Sequence, residues 1–327
     1  MIDRRTLVLF AASSLLFGGT FVAAKAGLEY FPPLAFVALR FDIAAIVLLG
    51  YVLLTRSRAE LVPRTRGDIA GILATGVLAI GLTNALIFVG QQYATSAVAA
   101  IVFSLNPILT PVFAALLLSD ERLSTRGAAG LLLGLGGVVL VVGPSSDLLL
   151  GGGLFGQAIL FAAAVCGALG AVSIRRAGGT LSSTVRTAWG LPFAAALTHM
   201  LSFASGESMG EIVWTPEAVL ALVYVAVFAG AIAYVAYFGL IDSAGAIHAN
   251  LAFYVVPVVS TVGGWALLGE SISTLTIVGF LVIFAGFAVL GSESVDLRRV
   301  LPLSRTRRHS TTDQFLSLED VRRDRAD

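Results

Sequence analysis

Ten stretches of the chain read as candidates for helices that cross a membrane. They lie near 7–27, 34–54, 68–90, 95–118, 126–143, 153–174, 184–203, 217–240, 246–268 and 274–291. A helix rises about 1.5 Å per residue, so about 20 apolar residues cover a hydrocarbon layer roughly 30 Å thick. Charge is scarce to match: of 327 residues, 13% are charged and 57% hydrophobic. A water-soluble domain carries about 25% charged residues. This chain lacks the ionisable groups to cover a soluble surface, which excludes a soluble enzyme. The strict apolar–polar alternation of a membrane β-barrel is absent, and Gly and Ala are dense, as in Gly127–Gly130 and Gly134–Gly137. Small residues let helices approach closely in lipid. The expected fold is therefore an all-α membrane bundle of ten transmembrane helices.

The first apolar run follows Arg4 and Arg5 and is about 20 residues long, beyond the 7–15 of a signal peptide core, so it reads as an uncleaved helix. With the amino terminus inside, nineteen of the 21 Lys and Arg residues fall on the cytoplasmic side. The loops on the other side hold Glu29, Asp147, Glu207, Glu211, Glu217 and Glu270 and no cation. The positive-inside rule then places both termini in the cytoplasm of a cell (inner) membrane protein. A formal charge of +1 argues against a nucleic-acid binder. One cysteine, Cys166, and three scattered histidines make no disulfide and no metal motif, and no cofactor is expected.

The chain also repeats itself. Pro107 matches Pro257 at an offset of 150, and Glu121, Ser124, Gly130 and Gly137 match Glu270, Ser273, Gly279 and Gly286 at 149. The halves divide near 144–152, giving 1–147 and 148–291 with five spans each, followed by a tail at 292–327. Five is odd, so the halves face opposite ways. Such inverted-topology repeats are a common architecture of secondary transporters.

Phe17-Gly-Gly-Thr-Phe21 with Lys25, then Pro32-Pro33 and Leu39-Arg40-Phe41, resembles the EamA domain of the drug/metabolite transporter (DMT) superfamily. So does each copy of Pro, a helix of about a dozen residues, Glu, Ser and a Gly-rich helix. The resemblance covers about 7–291 as two tandem domains. It implies ten helices around a central cavity and the export or uptake of small metabolites, often amino acids, with efflux favoured. The chain departs from the pattern at Phe17, where Trp is frequent, and in lacking counterparts of Lys25 and Arg40 in its second half.

Ionisable groups inside a span are costly and carry a functional hypothesis by default. Lys25 lies at the outer interface, where snorkelling and a cavity role both stay open. Arg40 and Asp42 lie deeper on one helix and, two residues apart, point to different faces. Arg40 has two readings: an interhelical ion pair or cap, and a guanidinium fork for a substrate carboxylate. Asp42 reads as an interhelical partner or as a protonatable coupling group. Asn84, Asn106 and Asn250 read as interhelical hydrogen bonders or as cavity groups. Trp189 and Tyr254 read as core packing or as stacking contacts for cargo, while Tyr30 and Tyr237 suit an interfacial belt. Pro107, Pro111, Pro192 and Pro257 each remove a helix hydrogen bond, and Pro107 and Pro257, in matching places, are the candidate hinges. Glu121 and Glu270 sit three residues before Ser124 and Ser273, which read as helix N-caps helped by the acids. His199 and His248 read as interfacial, and Cys166 as packing.

The tail holds fifteen of the 41 charged residues and reads as disordered cytoplasmic chain. No P-loop and no His-Glu-x-x-His motif occurs, so ATP hydrolysis and proteolysis have no supporting constellation. The first helix carries no carboxylate, which disfavours proton–cation exchange of the small multidrug type. The substrate class that fits is a small, amino-acid-like or weakly acidic metabolite. Arg40 and Lys25 would hold its carboxylate, and Asn84, Asn106, Trp189 and Tyr254 would make further contacts. A sugar-phosphate or nucleotide-type exchanger, or a non-transporting sensor or scaffold, are the alternatives. The partners expected are that solute and the lipid bilayer, with no nucleic acid; a homodimer stays open.

Overall fold

The computed structural model describes residues 4–118, 125–142, 153–244 and 252–300. The described residues are all helical or loop, with no strand. Ten helical segments can be followed. α1 is Arg4–Gly27, α2 Pro33–Thr55, α3 Arg66–Gln91 and α4 Ser96–Leu117. α5 is Thr125–Val142, α6 Gly153–Ala177 and α7 Ser183–Ala204. α8 comprises Pro216–Val223, Tyr224–Ile232 and Ala233–Ala244; α9 is Ala252–Leu268 and α10 Thr274–Val300. Six of them are long and apolar enough to cross a membrane, and three shorter apolar ones are Thr125–Val141, Ala252–Leu268 and Thr274–Val289. α7 is long enough but more polar. Its Thr184, Thr187, Thr198 and Ser202 are buried, and Thr198 bonds the Ala194 carbonyl within its own helix. The compact body ends at Leu290, and Gly291–Asp327 form a separate unit. Of that unit only the helical backbone to Val300 is described.

Local rules explain several boundaries. Pro33 opens α2, where a missing amide proton costs nothing. Thr65 and Thr215 cap α3 and α8 through their hydroxyls, and Ser273 accepts from the Thr276 amide at the start of α10, the cap expected of it. Ser124, Glu121, His248 and Asn250 lie outside the described residues. α4 is interrupted at Ser104 and Leu105 and restarts at Asn106, with Pro107 in its first turn. Pro257, by contrast, sits inside a continuous α9.

The two halves repeat in structure as well as sequence. A nine-residue π-helical stretch occupies Ala74–Leu82 in α3 and Tyr224–Ile232 in α8, an offset of 150. π-helical insertions are uncommon, and many lie at functional places. The packing is mirrored too. α6 lies on α3 and α4, while α1 lies on α8 and α9; α7 packs on α3, and α2 on α8. The halves are therefore interlocked, each lending its first helix to the other.

The repeated glycines mark the α5–α10 crossing. A methyl at Gly137 would meet the Gly279 carbonyl, and one at Gly286 would meet the Gly130 carbonyl. Gly130 matches Gly279 and Gly137 matches Gly286 in sequence, yet each touches the other's counterpart. Such crossed contacts are the signature of antiparallel elements related by a twofold.

The main core joins α2, α3, α7 and α8 through Phe36, Phe41, Leu48, Phe88, Leu191 and Val225. α2 and α7 run antiparallel at its centre. The Glu207 carboxylate beyond α7 accepts from the Leu34 and Ala35 amides that open α2, at 3.1 and 2.8 Å. Near the start of α7, Trp189 donates its indole N–H to the Leu61 carbonyl at 2.9 Å.

Candidate functional site

A cavity of about 430 Å³ lies among α4, α6, α8 and α9. From α4 it is lined by Phe103, Ser104, Asn106 and Thr110, and from α8 and α9 by Tyr237 and Phe253. The break in α4 puts Asn106 there, and Thr110 returns its hydroxyl to the Asn106 carbonyl at 2.8 Å. Gly167 of α6 is small because the Asn106 amide lies where a Cβ would stand. Behind the wall an aromatic cluster forms: Phe17 of α1 meets Tyr234, Tyr237 and Phe253 with ring centroids 5.3, 6.0 and 5.6 Å apart. No side chain described in the lining is charged.

Further along the same two helices the space is closed. Glu270, between α9 and α10, accepts from the Ser96 amide at 2.9 Å and from its hydroxyl at 2.6 Å. Ser260 of α9 donates its hydroxyl to the Ser96 carbonyl at 2.8 Å. Glu270 thus caps α4 from the other half of the chain, a long-range role that its expected place beside the Ser273 cap did not include. Gly264 is required here, since a Cβ would collide with both the Glu270 carboxylate and the Ser96 hydroxyl. Lys25 stands within electrostatic reach of Glu270 and donates to the Gln91 carbonyl at 2.7 Å. Gln91 in turn donates to the Phe21 carbonyl at 2.9 Å, tying α1 to the end of α3.

Arg40 is 3% exposed. One terminal nitrogen donates to the Asn84 side-chain oxygen at 2.9 Å, and Asn84 donates to the Ile80 carbonyl. The guanidinium faces the rings of Phe41 and Phe88 at 5.3 and 5.5 Å. Its Nε has no hydrogen-bond partner, and among the described residues no carboxylate bonds to it. Tyr234 feels its charge. Tyr234, which meets Phe17 of the aromatic cluster, is the link between that cluster and Arg40.

The structure does not bring the other candidates to one place. Of the residues read as substrate contacts, Asn106 lines the cavity, with the hinge candidate Pro107. Arg40 and the half-buried Asn84 are paired away from the cavity lining, and Lys25 belongs to the closed end. Trp189 is taken up by Leu61, and Tyr254 packs on Phe284 and Phe287 of α10 at 6.0 and 4.6 Å. Asp42 finds a partner on another helix: its Oδ2 is 2.8 Å from Nε2 of His199. Tyr237, read as a belt residue, lines the cavity instead. Thr110, Phe253, Ser96 and Ser260 had no sequence signal of their own, because each matters only through contacts between halves.

Helices apolar enough to cross a membrane, interlocked in two repeats around a cavity, define a multi-pass membrane protein of the transporter kind. The chain belongs to the EamA-like transporter family, whose model matches residues 4–143 and 154–292. The curated relatives it resembles carry transporter names. One is the uncharacterized transporter YyaM of Bacillus subtilis, 28% identical over 289 residues, which are 85% of this chain and 91% of that one. Another is the S-adenosylmethionine/S-adenosylhomocysteine transporter of Chlamydia trachomatis, 28% identical over 296 residues and covering 85% and 86% of the two chains. A chain of known crystal structure aligns with a TM-score of 0.61 at 25% identity, over 88% of this chain and 98% of its own.

Proposed function

We propose that the protein is a secondary-active transporter that moves a small metabolite bearing a carboxylate by alternating access. In this reading ten spans form two inverted five-helix repeats, 1–147 and 148–291, with both termini and the 292–327 tail on the cytoplasmic side of the cell membrane. The observation that carries it is the contrast along α4 and α9. They are joined at Ser96 by Glu270 and Ser260 and parted by the cavity at Asn106. With the amino terminus inside, the joined end faces outward and the cavity belongs to the cytoplasmic half. The geometry then matches one of the two states that alternating access requires.

The cargo lies against Asn106, Thr110 and the aromatic wall. A buried guanidinium without a bonded carboxylate is uncompensated charge, and an anion reaching it removes a large desolvation cost. Arg40 is accordingly the carboxylate site, reached when Phe17 and its neighbours part. Efflux is the favoured direction. The cargo named for the Chlamydia relative joins a flat base to an aminocarboxylate, which suits an aromatic wall backed by a cation. A sugar-phosphate exchanger is less suited, because the described lining offers a dianion no cation. The test is proteoliposome transport of a labelled panel of amino acids and S-adenosylmethionine by wild type, Arg40→Ala and Asn106→Ala. Carboxylated solutes should move with wild type and drop about tenfold or more with either variant. Undiminished flux through Arg40→Ala removes the carboxylate assignment, and no flux of any panel member through wild type removes the substrate class.

A further inference from the structure

The Asp42–His199 pair is not used by the reading above. It joins α2 of the first repeat to α7 of the second at 2.8 Å, and the two side chains are 43% and 40% exposed. Asp42 is the tenth residue of α2, about 14 Å along its axis, well inside the apolar length. One turn further on each helix lie Ile46 and Phe203, both strongly exposed. A carboxylate and an imidazole are thus set in a seam whose surroundings are apolar.

We propose that Asp42 and His199 form a proton-binding site that couples transport to the proton gradient. The argument is one of net charge in a medium that resists charge. With a single shared proton, Nε2–H donating to Oδ2, the pair carries −1. A second proton, landing on Nδ1, gives an imidazolium beside a carboxylate with no net charge. A medium of low dielectric favours the state without net charge, and the geometry of the seam offers the second proton a place beside a carboxylate.

Other charged groups on the packed helices are engaged elsewhere. Arg40 turns from the same helix toward Asn84, and Glu207 is held by the first amides of α2. Asp68 of α3 is bound to Thr180 at the far end, where Arg186 of α7 bonds Thr75. The titratable groups that α8 carries are Glu217, Tyr224, Tyr234, Tyr237 and Asp242.

Coupling follows from position. Asp42 and Arg40 share α2 but face different ways, so protonating the pair acts on the cation through the helix that holds both, lowering the negative charge on α2 and favouring an anion at Arg40. Proton and anionic cargo then bind with positive cooperativity, which linkage makes mutual, so an inward proton gradient drives uptake through this site, while efflux, the direction favoured above, follows the solute's own gradient. This consequence rests on the carboxylate reading of Arg40; the proton site itself does not.

The experiment has two arms. In the first, the ring resonances of His199 are titrated by NMR in the full-length protein in lipid nanodiscs and assigned by their loss in His199→Gln. His199 should titrate in wild type, with its midpoint falling by about one pH unit or more in Asp42→Asn. An unchanged midpoint overturns the proton site, whatever the transport results. In the second, proteoliposomes carry out exchange and pH-gradient-driven accumulation of the same labelled panel. Asp42→Asn and His199→Gln should retain exchange within about twofold and lose accumulation by about tenfold. Accumulation surviving in both variants overturns the coupling. If wild type moves nothing in the panel, the substrate reading fails while the first arm still decides the proton site.

Discussion

Asp68 and Glu270 perform the same chemistry at opposite ends of α3, each reaching from one half of the chain to backbone amides of the other. Asp68, 1% exposed, accepts from the amides of Arg64 and Thr65 in its own half and of Thr180 and Leu181 across the interface. The Thr180 hydroxyl adds a fifth donor. Among the described residues Glu270 accepts only from the amide and hydroxyl of Ser96, and it is half-buried. The first contact is shared by too many donors to open in a working cycle. The second is held by one residue and adjoins a cavity. Donor number and burial therefore separate the frame of the molecule, built on α2, α3 and α7, from the part free to rearrange.

The comparison breaks most visibly at Asp68. Asp68→Ala leaves four amides and a hydroxyl without their acceptor at once and should cost about 3–5 kcal/mol, seen as lost folded yield and a lower melting temperature in detergent. Asp68→Asn, which keeps one acceptor oxygen, should recover part of it. Second comes Gly76, where a methyl would run into the Gly190 carbonyl and join α3 to α7 too tightly. Gly76→Ala should destabilise by about 1–3 kcal/mol, whereas Gly50→Ala, with nothing within 4 Å, should not lower the melting temperature. Third is Glu207, which caps α2 with fewer donors, the Leu34 and Ala35 amides and the Ser202 hydroxyl. Glu207→Ala should cost about 1–2 kcal/mol in the same melt, the scale of a lost N-cap.

How much of this was legible follows from the range of each interaction. Apolar spans and the matched Gly positions depend on local composition and periodicity, and the described helices follow them. Gly130, Gly137, Gly279 and Gly286 were visible as repeats, though only the fold shows that they touch crosswise. Asp42 and Arg40 were visible as costly charges, and the deduction that they face different ways holds. Their partners, His199 and Asn84, are 157 and 44 residues away and share no pattern with them. Tyr237 lines the cavity and not the expected interfacial belt, while Tyr254 takes the packing place that was one of its two readings, because helix rotation about its axis is set by neighbours rather than by composition. The π stretches were invisible for a similar reason: ATGVLAIGL and YVAVFAGAI are ordinary apolar sequences, and the extra residue per turn is imposed by packing.

The smallest stability effect should come from the contact assigned to movement. Glu270→Gln keeps an acceptor for Ser96 but loses the charge, weakening the closed end by about 1 kcal/mol, a factor of about five in population. The melting temperature should barely move, because the frame contacts of Asp68 and Glu207 are untouched. Accessibility is the sensitive readout. With Cys166 replaced by Ala and a cysteine introduced at Val256, which lines the cavity, a membrane-impermeant thiol reagent should reach that cysteine from the Ser96 side only when the contact opens. Labelling should be about fivefold faster in Glu270→Gln, and Ser96→Ala should act in the same direction. Equal labelling rates in all three proteins would place Glu270 with Asp68 in the frame, and the boundary between fixed and moving contacts would then lie deeper, at the Asn106 break in α4.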